Sequence, residues 1–270
     1  MPFAENHGVK IYWDEEGQGA PVLLIMGLGW ASPLWHRTRP LVAKQYRAIT
    51  LDNRGVGRSD VPAGPYPISV MASDAAAVLD AAGIESAHVL GMSMGGMIAQ
   101  EFALQYPKRV RSLILGCTAS GGPHAVQPEP EVLQILTLKF GMSPEEASRK
   151  INPFIYDAQT PQARIDEDFK LRMEWYPTLE GYMAQLRGVM GWEAYSRISQ
   201  ITAPTLVIYG ESDRLVPPAN AKLIAQRIPH AKLFMIPHAS HIFTTDQPDV
   251  AHQAIFEFLS DTGSVSDSAA

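Results

Sequence analysis

The chain has 270 residues, 46% of them hydrophobic and 19% charged, enough to bury one large α/β core or a core carrying an insertion. A net charge of -6 offers no basic surface to nucleic acid or anionic lipid, and no apolar run reaches the length of a membrane span. A single cysteine, Cys117, excludes an intramolecular disulfide and a cysteine zinc site, and reads as a small buried hydrophobe.

In chain order, residues 9–13 alternate as a strand does, 14–19 turn, and Val22, Leu23, Leu24 and Ile25 form a continuous apolar run suited to a buried parallel strand. Gly27 and Gly29 end that run. A helix is expected over about 34–46, then a short strand over 48–51 and a loop over 52–60. Gly55 and Gly57 have the spacing of a dinucleotide fingerprint, but its third glycine would fall at Asp60, where no helix begins. The loop therefore reads as structural, with Arg54 tied by a carboxylate or a carbonyl.

A helix over 70–82, stopped by Gly83, leads into a strand over 87–90 and then into Gly91-Met92-Ser93-Met94-Gly95-Gly96. A helix over 97–106 ends at Pro107, and a strand follows over 110–116. Strict alternation of this kind implies a mostly parallel sheet with helices on both faces. From Ser120 to about Arg197 no strand pattern occurs. Ser143-Pro144-Glu145-Glu146 is a capping box with proline at the first helical position, and Thr160-Pro161 repeats the device. Alternation resumes with a strand over 204–209, a helix over 219–227, a strand over 232–236 and a helix over 248–259. The expected division is a first core part over 1–122, a helical cap over 123–196, a second core part over 197–260 and a disordered, small and polar tail over 261–270.

The chemistry centres on Ser93. A serine with glycine two residues away on each side, between strand and helix, has the pattern of a nucleophile elbow, in which the turn leaves no room for side chains at 91 and 95. A serine hydroxyl needs a base, and the base needs a carboxylate to fix its tautomer. Asp213 and His241 supply these on loops just past later strands, with Glu211 and His238 as the rivals. All three loops follow strand carboxyl ends, so the residues converge on one sheet edge. The backbone N–H groups of Met94 and of Leu28, with Gly29 the nearest alternative to Leu28, are the expected oxyanion donors. Bulky residues of the helical segment predict an apolar pocket with an aromatic wall, for which Trp30, Trp175, Tyr182 and Trp192 are candidates. His238 and His241 stand at i, i+3, but no further acidic or histidine ligand sits at helical spacing, so no metal is expected.

These residues together resemble the α/β-hydrolase superfamily, from about Val9 to Leu259: the elbow at 91–95, Asp213 ahead of Val216-Pro217, His241 and the 52–59 loop carry the likeness. The resemblance implies an α/β-hydrolase fold with a helical cap, and an enzyme whose serine attacks a small to medium carboxylic ester or lactone through an acyl-Ser93 intermediate. It implies no cofactor and a small-molecule substrate as partner. Met26-Gly27 stands where the oxyanion loop often begins His-Gly, and Ser240 stands where a glycine often precedes the histidine. Relatives that hydrolyse haloalkanes or epoxides carry aspartate where Ser93 stands, which argues against those reactions. Ile242 follows His241 where carbon-carbon bond hydrolases tend to have tryptophan. Acyl transfer, perhydrolysis, carbon-carbon hydrolysis or a lyase step at the same triad is the alternative enzyme reading, and a small-molecule receptor on the same fold is the non-enzymatic one. The N-terminus lacks a basic segment followed by an apolar one, so a cytoplasmic protein is expected.

Overall fold

Short apolar runs become the central strands of one eight-stranded sheet in the computed structural model, which describes residues 2–138 and 141–266. The strands are β1 (Phe3–Asn6), β2 (Val9–Glu16), β3 (Pro21–Ile25), β4 (Arg47–Leu51), β5 (Ala87–Met92), β6 (Val110–Gly116), β7 (Thr205–Gly210) and β8 (Lys232–Ile236). Their order in the sheet is β1-β2-β4-β3-β5-β6-β7-β8, antiparallel at β1/β2 and β2/β4 and parallel from β4 onward. The register aligns the strand ends, since Ile25 faces Gly91, Gly91 faces Leu115, Leu115 faces Val207 and Val207 faces Leu233. Chain leaving β3, β5, β6, β7 and β8 therefore emerges along one edge.

The helices are α1 (Arg39–Val42), α2 (Ile68–Ala81), α3 (Met94–Gln105), α4 (Pro130–Leu138), α5 (Pro144–Ile155), α6 (Gln162–Glu174), α7 (Leu179–Met190), α8 (Ala219–Arg227), α9 (Phe243–Asp246) and α10 (Pro248–Ser266). Side chains alternate across each strand and so feed two cores. Leu23, Ile25, Val89, Leu113 and Val207 pack with α2, α3 and α8 through Leu79, Phe102 and Ile224. Leu24, Leu90, Ile114 and Ile208 pack with α10 through Ile255, Phe258 and Leu259. Each aliphatic side chain fully withdrawn from water contributes about 1.5–3 kcal/mol, so both layers are tied strongly to the sheet.

Among the described residues, helices α4 to α7 lie between β6 and β7. The Ser143 capping box is formed: Glu146 N–H donates to Ser143 Oγ at 3.2 Å and Ser143 N–H to Glu146 Oε2 at 3.0 Å. The second expected cap is not. Pro161 occupies the cap position of α6 without a side-chain cap bond, because the Thr160 hydroxyl donates instead to Asp246 Oδ1 at 2.6 Å. Two further expectations need correction. The helix expected over 34–46 is a 3-10 turn at Ser32–Trp35 followed by the four-residue α1, with Pro33 and Pro40 each confined to a first turn, where no N–H is needed. The expected tail begins inside a helix, since α10 continues to Ser266, with Thr262 Oγ1 donating back to Phe258 O at 2.9 Å and Lys232 pairing with Asp261 at 3.1 Å. Residues 267–270 of that tail lie outside the described residues. Among the described residues no helix is long and apolar enough to cross a membrane.

Candidate active site

Two residues beyond Gly91, the chain turns from β5 into α3 at Ser93, which holds φ 57° and ψ -123°. Such a conformation costs a non-glycine residue about 1–3 kcal/mol and persists only where its surroundings enforce it. Here they do. A side chain at Gly91 would strike the Gly95 carbonyl, and one at Gly95 would strike the Ile25 carbonyl, so only glycine lets the turn close against β3. Ser93 N–H donates to Gly116 O at 2.9 Å, while Ser93 O accepts from Gly96 N–H at 2.9 Å and from Thr118 Oγ1 at 2.7 Å. The Ser93 backbone is thus pinned from β6 and α3, and its side chain lines a cavity above the sheet edge.

The loops after β7 and β8 bring Asp213 and His241 together. His241 Nδ1 lies 2.8 Å from Asp213 Oδ2, with both side chains almost wholly buried. Asp213 is itself held, since Oδ1 accepts from Leu215 N–H at 2.9 Å and Val216 N–H at 2.8 Å. The His241 loop is fixed on both sides: Ser240 N–H donates to Asp246 Oδ2 at 2.6 Å, and Ile242 N–H donates to Ile155 O at 2.9 Å. Burial lowers the His241 pKa, but the Asp213 carboxylate and the contact with Cys117 together outweigh it and lift the imidazole well above its ordinary value. The rivals stand apart. Glu211 and His238 are exposed, and His238 Nδ1 meets Gln159 Nε2 at 2.9 Å.

Gly27, Leu28 and Gly29 leave β3 toward the same edge. Gly29 N–H donates to Gln185 Oε1 at 2.8 Å, and Gln185 Nε2 donates to Arg54 O at 2.8 Å. Gly29 is therefore engaged, whereas Leu28 N–H makes no protein hydrogen bond among the described residues. Met94, at the first position of α3, has an N–H with no acceptor inside the helix. Asn53 Nδ2 braces the loop further by donating to Met26 O at 2.9 Å. Arg54 is tied by a carboxylate, as its sequence context suggests, with Nε and Nη2 each 2.6 Å from Asp74.

The cavity, about 700 Å³, is lined by Ser93, His241, Leu28 and Met94, by Trp30, Trp175 and Tyr182, and by residues of α4 to α7. Trp192 is not among them. Its indole N–H donates to Glu101 Oε2 at 2.8 Å and its ring packs into the core, so the expectation that it lines the pocket is corrected: a buried carboxylate on α3 captures it. Sequence reasoning read Cys117 only as a small buried hydrophobe, which it is, and missed its place beside His241. Cys117, after β6, lies against the His241 imidazole, and burial pushes its thiol pKa up, so it stays protonated. Gln185, Asp246, Arg172 and Ser148 also escaped notice, because a lone polar residue on a helix gives no local sign of a partner far away in the chain.

The comparisons with known proteins agree with this architecture. Residues 20–248 match the family of the alpha/beta hydrolase fold. RutD of Azorhizobium caulinodans is 31% identical over 261 residues, 96% of this chain and 98% of that one. The 2-hydroxy-6-oxononadienedioate/2-hydroxy-6-oxononatrienedioate hydrolase of Cupriavidus pinatubonensis is 33% identical over 93% of this chain and 90% of that one. Among solved structures, Est816, described as an N-acyl homoserine lactone degrading enzyme, superimposes with a TM-score of 0.82 at 30% identity, over 95% of this chain and 100% of that one. The sheet order, the elbow at a strand end and a family match across most of the chain lead to one conclusion: this chain belongs to the alpha/beta hydrolase fold family.

Proposed function

We propose that this protein is a serine hydrolase that cleaves small to medium carboxylic esters or lactones through an acyl-Ser93 intermediate. The observation that carries the reading is the buried 2.8 Å contact of His241 Nδ1 with Asp213 Oδ2, with His241 and the strained Ser93 lining one apolar cavity. With Nδ1–H donated to Asp213, His241 Nε2 holds the lone pair that takes the Ser93 proton. Ser93 Oγ attacks the carbonyl, and the N–H groups of Leu28 and Met94 receive the oxyanion. His241 then returns its proton to the departing alkoxide and activates water against the acyl-Ser93 carbonyl. The likeness to a lactone-degrading enzyme supports the lactone half of the reading. Residues 123–196 act as a cap in this scheme: they close the cavity and choose the substrate.

A second reading is hydrolysis of a carbon-carbon bond by the same residues, favoured by the 33% identity to the Cupriavidus hydrolase. A panel of acyl esters, lactones and vinylogous 1,5-diketones decides between them. Ser93→Ala should remove turnover by a factor on the order of 10⁴ to 10⁶ with the fold intact. A fluorophosphonate should label Ser93 stoichiometrically, and His241→Ala should abolish labelling. Steady turnover of an ester or lactone supports the proposal, while labelling with one burst and no steady state across the panel sinks it in favour of a ligand-binding role.

A further inference from the structure

Among the described residues the wall of the cavity contains no aspartate or glutamate, and apart from His241 the one ionisable cation there is Arg172 on α6. Arg172 is only 8% exposed. Its Nη1 donates to Asn152 Oδ1 at 2.9 Å, its guanidinium lies 5.5 Å from the centre of the Trp30 ring, and its charge acts on the nearby Tyr156 hydroxyl. None of these partners is anionic. Tyr156 OH donates onward to Asp168 Oδ2 at 3.0 Å, but Asp168 is already matched by Arg37 at 3.2 Å and by His36 at 3.3 Å. Among the described residues no carboxylate forms an ion pair with Arg172.

A second, independent feature sits beside it. Ser148 on α5 is 2% exposed, lines the same cavity, and its Oγ has no hydrogen-bond partner among the described residues. It precedes Asn152, the partner of Arg172, by four residues, so the two lie on one face of α5 a single turn apart. Burying a cation without a counter-charge, and a hydroxyl without a partner, is unfavourable, and a mostly apolar wall has no structural use for either. The guanidinium fork matches a carboxylate, and a hydroxyl can donate to the same group.

We infer that Arg172 and Ser148 form a subsite for a carboxylate carried by the substrate, so that the preferred esters or lactones are anionic. Trp30 joins the two ends of the site, following the Gly27-Leu28-Gly29 loop and stacking under Arg172, so the carboxylate sits on the Arg172 side while the scissile carbonyl meets Ser93. The inference rests on the hydrolase reading above for its kinetic test, but its binding test does not.

The test compares substrates that differ only in charge: monomethyl adipate against dimethyl adipate, and 4-acetoxybutyrate against its methyl ester. The first pair places the carboxylate on the acyl part and the second on the alcohol part. The wild-type protein should favour the carboxylate in at least one pair. Arg172→Met should lower that preference roughly 30-fold, mainly through KM, with Arg172→Lys intermediate and Ser148→Ala several-fold lower. Independently, calorimetry on Ser93→Ala protein should show monomethyl adipate binding that disappears in the Ser93→Ala, Arg172→Met double variant. If no ester is turned over while this Arg172-dependent binding persists, the hydrolase reading fails and the subsite stands. If the folded variants keep the wild-type preference in both pairs, or binding ignores Arg172, the subsite is overturned. Should Arg172→Met not fold, an unchanged preference in both Arg172→Lys and Ser148→Ala overturns it equally.

Discussion

His241 lies between opposing influences: its own burial lowers its pKa, while the Asp213 carboxylate 2.8 Å away and the adjoining Cys117 raise it, and the raising influences prevail. As the proposed base, His241 must be neutral to accept a proton, so kcat/KM should rise with pH through an apparent pKa above the ordinary imidazole value of about 6.5. Asp213→Asn should move that limb downward and cost turnover, and a flat profile between pH 5 and 9 would count against histidine as the base. Asp246, which anchors the His241 loop through Ser240 N–H, is also shifted upward but for a different reason: burial raises its pKa to about 6 despite the bonds from Thr160 and Ser240. The folded protein thus resists ionising Asp246 more than the unfolded chain does. Its contribution to stability is fullest below the ordinary aspartate value of about 4 and is lost as pH rises to about 6. Melting temperatures of Asp246→Asn should therefore gain on wild type between these limits and level off above, and a pH-independent difference would contradict the assignment.

At the level of elements, α7 reaches past the sheet to govern a loop it does not adjoin in sequence. Gln185 accepts from Gly29 N–H and donates to Arg54 O, and Arg54 is clamped to Asp74 on α2. The path runs from a core helix through two loops to the expected oxyanion donors. Gln185→Leu leaves both backbone groups unpaired, so kcat should fall roughly 10- to 100-fold with little change in KM. The rate of phosphonate labelling at Ser93 should fall in parallel. Gln185→Glu, which keeps an acceptor for Gly29 N–H, should recover part of the loss. Equal effects on kcat and KM, without any rescue by glutamate, would reduce Gln185 to a packing residue.

Across the whole molecule, the proposed chemistry and the proposed choice of substrate fall to different parts, the sheet edge and the helices above it. β3, β5, β7 and β8 deliver the loops carrying Leu28, Ser93, Asp213 and His241, while α4 to α7 and the loops between them supply most of the apolar wall. Changes at the wall should accordingly reorder substrates rather than scale all of them. Trp175→Ala and Tyr182→Phe or Leu should shift the preferred acyl length, by roughly 1–3 kcal/mol per methylene gained or lost. Trp192, bonded to Glu101 and not part of the cavity wall, serves as the control: its substitution should lower stability without altering preference. Identical kcat/KM ratios across acyl lengths in the Trp175 and Tyr182 variants would make the helices a passive cover.

What the sequence by itself determined follows local rules. Apolar runs and alternation placed the strands, the spacing of glycine about Ser93 marked the turn, and Ser143 to Glu146 announced a helix start, because each depends on neighbours within a few residues. The order Ser93, Asp213, His241 was legible for the same reason, each following a strand end. The sequence preferred Asp213 to Glu211 from its place ahead of Leu215-Val216-Pro217, but only the tertiary structure shows Asp213 buried and Glu211 exposed, since burial depends on what packs over a loop. It likewise turned Thr160 from a cap into a partner of Asp246, 86 residues away, and Trp192 from pocket wall into core. Gln185, Arg172 and Ser148 acquire meaning through groups supplied by distant segments, or through the lack of such groups, and no periodicity along the chain carries that information. A side chain's local preference is written in its neighbours, whereas its partner is chosen by the fold.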